Sequence, residues 1–336
     1  MRAARQPGGP LASGKLPLDL LAELLADLPS PPEVRLGARI GEDACAIDVP
    51  EGVLVVAADP ITLTSEDIAR LCVIVNANDV AVAGARPRWF MAVVLVPPGT
   101  REIVVRELFA ALRDSLSALD AVLVGGHTEV TPAVNRPVVV GQMLGMAENG
   151  IVATGGFEPG DVLLQVRPAP IEGAAVLAGA AGDRIREVEP SVLHAARVAL
   201  DDPGISVVEP ALLATGLGAK ALHDPTEGGL AGGLHEMATA AGVAITVDRE
   251  AVLWFEPGLA VCKAFGADPW STLASGTLVA AFAPDAVDGA LAAFARLGHP
   301  AARIGSAAAG VGVEDGEGLA IPWSEQDEVA RLLSVP

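Results

Sequence analysis

The chain of 336 residues is poor in aromatic residues, in cysteine and in long apolar runs. Trp, Tyr and Phe together make up 3% of it, whereas hydrophobic residues make up 51%, so its core has to consist mainly of Ala, Val and Leu. No apolar run approaches the ~18 residues that a membrane-spanning helix needs. The three cysteines lack the CxxC spacing of a zinc or redox site, and we interpret them as small buried hydrophobic residues: Cys45, Cys72 and Cys262.

Positive charge is scarce as well. The chain has 22 Lys and Arg against 42 Asp and Glu, which gives a formal net charge of −20. Non-specific nucleic-acid binding needs basic side chains to neutralise phosphates, so this balance excludes it. The N-terminal "MRAARQPGGP" lacks the apolar segment that a secretion signal contains. These features predict a soluble cytoplasmic protein with neither nucleic-acid nor membrane partners.

The apolar pattern predicts an α+β fold with mixed sheets rather than a strict alternation of strands and helices. Helices are predicted over 16–29, 65–87, 101–119, 172–181, 190–200 and 229–241, with another that ends near Thr215. Strands are predicted over 44–49, 53–59, 121–124, 138–146, 162–166, 219–223, 243–247 and around 277–282, the first two as a hairpin. The turn-rich segment 148–161 predicts a boundary between one domain of residues 1–150 and another of residues 151–336.

Five acidic residues stand where a strand gives way to a loop or where a helix ends: Asp43, Asp59, Asp79, Glu129 and Asp224. Loops that follow strands often form functional sites in α/β proteins. Taken singly, each acid is more commonly an ordinary turn residue or helix cap. Asp79 is harder to explain in that way, because it lies in the apolar half of a predicted helix. A buried charge there costs several kcal/mol unless a partner or a metal compensates it.

The stretch "LHDPTEGGLAGGLHEM", residues 222–237, places glycines at the start of a predicted helix. Such glycines allow backbone N–H groups to approach a phosphate closely. Because the chain is so acidic, we expect a hard cation such as Mg²⁺ to bridge its carboxylates to phosphate oxygens. Glycines 125, 126, 228 and 229 would then supply N–H donors to the same phosphates.

Six motifs in this order resemble those of the aminoimidazole ribonucleotide (AIR) synthetase-related superfamily: "GEDA", "AADPIT", "VNANDVAVAGARPRW", "VGGHTEV", "HDPTEGGLAGGLHEM" and "ASGTLVAAF". The resemblance covers about residues 14–310 and is nearest to the branch of the hydrogenase-maturation carbamoyl dehydratases. It implies two α/β-sandwich domains whose N-terminal sheets join across a homodimer into a β-barrel. It also implies ATP in the cleft between the domains, with Mg²⁺ on its phosphates.

The resemblance implies roles for individual residues. The implied metal ligands are Asp43, Asp59, Asp79, Glu129 and Asp224. The implied nucleotide-binding residues are Asn78, Gly125, Gly126, Thr226, Gly228, Gly229 and Gly276, with Gly173 as a weaker candidate. Lys15 would stabilise the transferring phosphoryl group or be an ordinary solvated lysine, and these alternatives stay open. His127 would assist proton transfer, whereas His223 is interpreted as structural.

The chain departs from the resemblance at its cysteines. It ends "EVARLLSVP" without a cysteine after Cys262, although the carbamoyl dehydratase modifies its own C-terminal cysteine. Selenophosphate synthetases carry a Cys or selenocysteine in the N-terminal segment, and no cysteine precedes Cys45 here. Two functions therefore stay open. One is an ATP- and Mg²⁺-dependent enzyme that transfers the γ-phosphoryl group to an oxygen of an unidentified acceptor, and the other is a non-catalytic nucleotide-binding paralogue that docks onto a maturation partner.

Overall fold

Two six-stranded sheets carry the fold, one in each half of the chain. The computed structural model describes residues 18–26, 31–37, 39–62, 64, 66–148, 150–180, 185, 187–324 and 326–333. Both sheets are mixed, which confirms the predicted α+β class. No described helix combines the length and the apolar character that crossing a lipid bilayer requires.

The first half is built on a sheet with the strand order β1-β2-β3-β6-β4-β5. Its elements are, in chain order, α1 (Leu18–Leu25), β1 (Val34–Leu36), β2 (Cys45–Val49), β3 (Gly52–Ala57), α2 (Ile68–Val82), β4 (Arg86–Val96), α3 (Glu102–Ala118), β5 (Val122–Val130) and β6 (Val138–Ala147). All neighbouring strands are antiparallel except β4 and β5. Helices α2 and α3 pack on one face, and β2 and β3 form the predicted hairpin.

The opposite face of this sheet is apolar and remains open among the described elements. Alternate residues of β4 and β6 are only half-buried there, including Val93, Leu95 and Leu144, and Met91 is 39% exposed. Strand β5, at the edge of the sheet, is exposed along nearly its whole length. An open apolar face that extends across neighbouring strands is typical of an interaction surface.

The second half is built on a sheet with the strand order β12-β9-β11-β7-β10-β8, antiparallel except between β9 and β12. Its elements are β7 (Val162–Val166), α4 (Glu172–Ala180), α5 (Pro190–Arg197), a π-helix (Leu200–Gly204), α6 (Val208–Gly216), β8 (Ala221–His223), α7 (Gly229–Ala241), β9 (Ala244–Val247), α8 (Glu256–Phe265), a 3₁₀ turn (Pro269–Ser271), β10 (Leu278–Phe282), α9 (Val287–Arg296), β11 (Ala301–Ala308), β12 (Gly312–Asp315) and α10 (Glu328–Leu333). Helix α7 has the predicted bounds. Helices α2 and α6 pack against each other, so one apolar core extends across both halves.

Two predicted elements of the first half have different bounds in the structure. Helix α2 ends at Val82, not at residue 87, because Gly84 adopts φ +84° and Arg86 begins β4, a strand that the pattern did not predict. The predicted strand 121–124 continues to Val130, so "GGHTE" is a strand paired with β4 and the expectation of a loop is wrong. Gly126 serves this pairing, since a Cβ there would lie 1.9 Å from the carbonyl oxygen of Ala92.

Strand β6 crosses α2 without room for any side chain at Gly141. A Cβ at that position would lie 2.6 Å from Asn76 Nδ2, 2.7 Å from Phe90 Cζ and 2.8 Å from Cys72 Sγ. This close approach allows the Gly141 N–H to donate to the carbonyl oxygen of Asp59 at 2.9 Å. Core packing therefore fixes the backbone just after β3, where one of the predicted site residues lies.

We expect Gly141→Ala to lower the free energy of unfolding by about 1–3 kcal/mol, because the added methyl group overpacks the contact between β6 and α2. Urea unfolding followed by circular dichroism measures this change. Gly289→Ala in α9 is the matched control, since nothing lies within 4 Å of a Cβ there. Helix propensity makes the control neutral or stabilising by up to ~1 kcal/mol, and equal midpoints for the two variants would contradict the packing account.

Candidate functional site

A cavity of about 280 Å³ lies between the two halves. The first half contributes Glu42, Asp43, Ala58, Asp59, Pro60, Ile61, Thr62, Thr64, Val75 and Asp79 to its lining, and the second half contributes Glu172, Thr226, Glu227, Leu273 and Ser275. The described lining thus holds six carboxylates and no Lys, Arg or His. A cavity with this lining attracts cations and repels free phosphate.

Asp59 is held at the end of β3 by a side chain of α2. Its backbone N–H donates to Asn76 Oδ1 at 2.8 Å, and Asn76 Nδ2 donates to the Asp59 carbonyl at 3.1 Å. Asn76 and Asp79 are three residues apart in α2 and therefore share a face of the helix. This geometry places the carboxyl groups of Asp59 and Asp79 within hydrogen-bonding distance of each other.

Asp79 and Asp224 are the most deeply buried acids of the cluster, at 3% and 2% exposure. Burial, followed by the charge of the neighbouring carboxylates, raises the pKa of both groups well above its ordinary value. Asp79 Oδ2 and both carboxyl oxygens of Asp224 have no hydrogen-bond partner on any other described residue. Asp43 and Asp59 lie close enough to Asp224 for their charges to act on it. Four of the five predicted metal ligands therefore converge.

The cluster is open on the cavity side. Within the described ranges, no three His, Cys, Asp or Glu side chains form a ready cage for a metal ion. Mg²⁺ does not need such a cage, because it commonly takes one or two carboxylates and completes its shell with phosphate oxygens and water. Buried carboxylate oxygens without partners, next to a cavity, are a donor set that fits Mg²⁺ bound to a nucleotide.

His223 lies between two carboxylates at the edge of the cluster. Its Nδ1 is 2.9 Å from Asp43 Oδ2 and its Nε2 is 3.0 Å from Glu236 Oε2, and the residue is 1% exposed. Burial disfavours the imidazolium, but the charges and hydrogen bonds of Asp43 and Glu236 outweigh it and raise the pKa of His223 well above its usual value. His223 therefore joins the two halves through its contact with Asp43.

The glycine-rich turn before α7 has its N–H groups bonded within the protein. The Gly228 N–H donates to Asp327 Oδ2 at 2.9 Å, and the Gly229 N–H donates to the Thr226 carbonyl at 3.0 Å. Asp327 comes from the C-terminal segment and is 6% exposed, and burial raises its pKa to about 6. A carboxylate of the chain thus occupies the position at Gly228 that the sequence assigns to a phosphate.

Other predicted nucleotide-binding residues make packing contacts beside the cavity, and only Asn78 among them joins the two halves. Asn78 Nδ2 donates to the Ile205 carbonyl at 3.0 Å, and its Oδ1 accepts from the Val207 N–H at 2.8 Å. Gly276 packs on the same segment, since a Cβ there would lie 3.0 Å from Ile205 Cα. Gly173 donates its N–H to the Leu273 carbonyl at 2.9 Å. The described contacts of these residues are structural.

The predicted site residues of β5 lie outside the cavity lining: Gly125, Gly126, His127 and Glu129. His127 Nε2 is 3.5 Å from Glu129 Oε2 on the exposed edge of the sheet. Lys15 lies outside the described residues. The structure therefore separates the predicted set into a cavity cluster and an edge-strand pair.

Several residues of the site were missed from sequence, notably Asn76 and Glu172. Asn76 is a polar residue in an apolar run, three positions before Asp79, and that spacing was a usable signal. Glu172 looks like an ordinary acid in the first turn of a helix. In the structure it is 7% exposed, burial raises its pKa to about 7, and its side chain hydrogen-bonds to Ser275.

Protein families match the chain over most of its length. The AIR synthase related protein, N-terminal domain, matches residues 41–147, and the AIR synthase related protein, C-terminal domain, matches residues 158–315. The carbamoyl dehydratase HypE of Bradyrhizobium diazoefficiens is 28% identical over 314 residues, which are 87% of this chain and 87% of that protein. The same enzyme of Escherichia coli is 30% identical over 261 residues, 74% of this chain and 72% of that protein.

Solved structures share the fold. A crystal structure of the hydrogenase maturation protein HypE in complex with ATP has a TM-score of 0.70 at 23% sequence identity, and covers 95% of this chain and 98% of that one. At this identity the similarity shows the two-sheet α+β architecture and nothing finer.

We expect Glu172→Gln to remove a pH dependence of stability. Because the pKa of Glu172 is raised from 4.5 to about 7, the folded state keeps a proton that the unfolded chain has released, and stability falls as pH rises through this range. Relative to the variant, the wild type should lose about 2–3 kcal/mol between pH 5 and pH 8. Urea unfolding at both pH values measures the difference.

Glu107→Gln is the matched control, since it removes one exposed carboxylate from α3. It reports what the loss of a charge alone does at each pH. A stability difference between wild type and Glu172→Gln that is equal at pH 5 and pH 8 would show that the carboxyl group does not hold its proton in the folded protein.

Proposed function

Because the chain belongs to the AIR synthase related family, we propose that it is an ATP- and Mg²⁺-dependent enzyme that transfers the γ-phosphoryl group to an oxygen of an acceptor. One observation carries the proposal. Asp79 and Asp224 present buried carboxyl oxygens, without partners on other described residues, beside Asp43 and Asp59. Oxygens in this setting hold a hard cation, and the cation binds phosphate.

The proposed roles follow from position. Asp59, Asp79 and Asp224 would hold Mg²⁺, with Asp43 beside them. Bound Mg²⁺ supplies the positive charge that offsets the phosphates of ATP and the acidic lining. Leu273 and other apolar residues of the lining limit the access of water to the transferring group.

The transfer itself needs little from protein side chains beyond positioning and electrostatic stabilisation. The bond from the γ-phosphorus to the bridging oxygen breaks, a bond to the acceptor oxygen forms, and ADP leaves. A hydroxyl or amide acceptor releases one proton to water. The support from relatives is that HypE proteins are named carbamoyl dehydratases and that one HypE structure contains ATP.

We further infer a homodimer that is formed through the open face of the first sheet. That face is apolar across β4 and β6, and the exposed edge strand β5 offers unpaired backbone groups to another strand. A second copy would cover the apolar face and continue the sheet, as the barrel of the family requires. His127 and Glu129 would then face the second copy.

We expect Asp79→Asn to lower Mg²⁺-dependent formation of ADP on the order of 100-fold, because the amide cannot replace a buried carboxylate as a cation ligand. Chromatographic measurement of ADP from purified protein, with and without candidate acceptors, tests this. Asp114→Asn on the exposed face of α3 is the matched control and should retain wild-type turnover. Unchanged turnover in Asp79→Asn removes Asp79 from the site. Binding of ATP that stays intact in the wild type would favour the non-catalytic paralogue.

We expect Met91→Asp to convert a dimer into a monomer, because it places a charge on the open apolar face. Light scattering coupled to size-exclusion chromatography should give twice 34.0 kDa for the wild type and 34.0 kDa for the variant. Leu297→Asp, at a site that is 52% exposed in the second half, controls for the added charge. A variant that keeps the dimer mass would show that the open face is not the interface.

A further inference from the structure

The contact between Asp43 and His223 joins the two halves of the chain at the edge of the carboxylate cluster. Asp43 lies between β1 and β2, and His223 ends β8. The carboxyl Oδ2 of Asp43 is buried 2.9 Å from His223 Nδ1, while the Asp43 side chain keeps 25% of its surface exposed. Because Asp43 also lines the cavity, one carboxyl group faces the histidine and the cavity together.

The surroundings of His223 fix its ring in one place. Glu236 in α7 lies 3.0 Å from Nε2, so a carboxylate faces each ring nitrogen. Nε2 is hydrogen-bonded to Glu236, and Nδ1 lies against the Asp43 carboxyl group. Helix α7 approaches the ring closely at Gly233, where a Cβ would lie 3.1 Å from His223 Cδ2. His223 is thus built into the core and is not a mobile side chain at the cavity.

The loop that carries Asp43 is held by further contacts with the second half and its connection. A Cβ on Gly41 would lie 3.0 Å from the Glu236 carbonyl, and Glu42 Oε2 accepts from the Thr154 N–H at 3.2 Å. These contacts place the loop, and among the described ion pairs only His223 contacts the Asp43 carboxyl group. The orientation of that carboxyl group therefore depends on the histidine.

We propose that His223 is a positioning residue, which holds the Asp43 carboxyl group at the cavity and thereby sets the affinity of the cluster for a divalent cation. This inference rests on the proposed function, because it assigns the cluster to a cation. His223 does not touch the cation in this account. It orients one carboxylate of the cluster through the contact of its Nδ1 with Asp43 Oδ2.

The test measures Mn²⁺ binding, not turnover. Mn²⁺ is titrated into the protein in the presence of a saturating non-hydrolysable ATP analogue, and the free ion is quantified by electron paramagnetic resonance. We expect His223→Gln to weaken Mn²⁺ binding about tenfold or more, which is the usual effect of losing a side chain that orients a metal ligand. His235→Gln on α7, where the ring bonds to the Ile321 carbonyl and stacks on Trp323, should leave Mn²⁺ affinity unchanged.

A double-mutant cycle separates positioning from general loss of structure. If His223 acts through Asp43, then adding His223→Gln to Asp43→Asn should change Mn²⁺ affinity less than twofold, because coupled residues are not additive. Should His223→Gln fail to fold, Glu236→Ala replaces it, since it removes the hydrogen bond that fixes the ring at Nε2. The expected change has the same direction.

The outcomes distinguish this inference from the proposed function. Wild-type protein that binds no Mn²⁺ with the analogue overturns the proposed function and the inference together. Wild-type binding with equal affinity in His223→Gln overturns the inference alone. Fully additive effects in the cycle also overturn it, because they would show that the histidine does not act through Asp43.

Discussion

The burial of several carboxyl groups in one place is the constraint on which the rest of the structure depends. Asp79 and Asp224 come from different halves, so the cluster exists only when the halves are docked. Like charges in a protein interior cost several kcal/mol per ion unless protons or cations compensate them. Burial and the neighbouring carboxylates raise the pKa of both residues well above its ordinary value, which favours their protonated forms. The same side chains therefore make the docking of the two halves sensitive to the charge of the cluster.

Polar contacts with the backbone fix the segments around this cluster, and those of Asn78 also join the two halves. Asn78 in α2 hydrogen-bonds to the backbone of residues 205–207. Arg167, just after β7, donates to the Ser206 carbonyl at 2.6 Å. The segment between the π-helix and α6 is thus bonded from both sides. Asn76 and Gly141 likewise fix the loop after β3, through hydrogen bonds to its backbone at Asp59. Each of these residues acts on the backbone and not on the carboxyl groups of the cluster.

Sequence patterning predicted what depends on local signals. The apolar period and flanking glycines gave α7 residue for residue, and the acid in the apolar half of α2 indicated Asp79 as a site residue. Strand β4 was missed because Gly84 and Pro87 resemble a helix exit, and the pairing that makes "RPRWFMAVVLV" a strand is not local. The run "GGHTE" was assigned to a loop for the same reason. Glu172 was missed because only tertiary contacts bury it.

The carboxylate of Asp327 already bonds to the glycine-rich turn before α7. An anion that arrives at the Gly228 N–H has to exchange places with a carboxylate already bonded there. The binding free energy of that anion is then the difference between two similar hydrogen bonds, its own and that of Asp327. Such an exchange leaves the Gly228 N–H with a bonded partner both before and after the anion arrives.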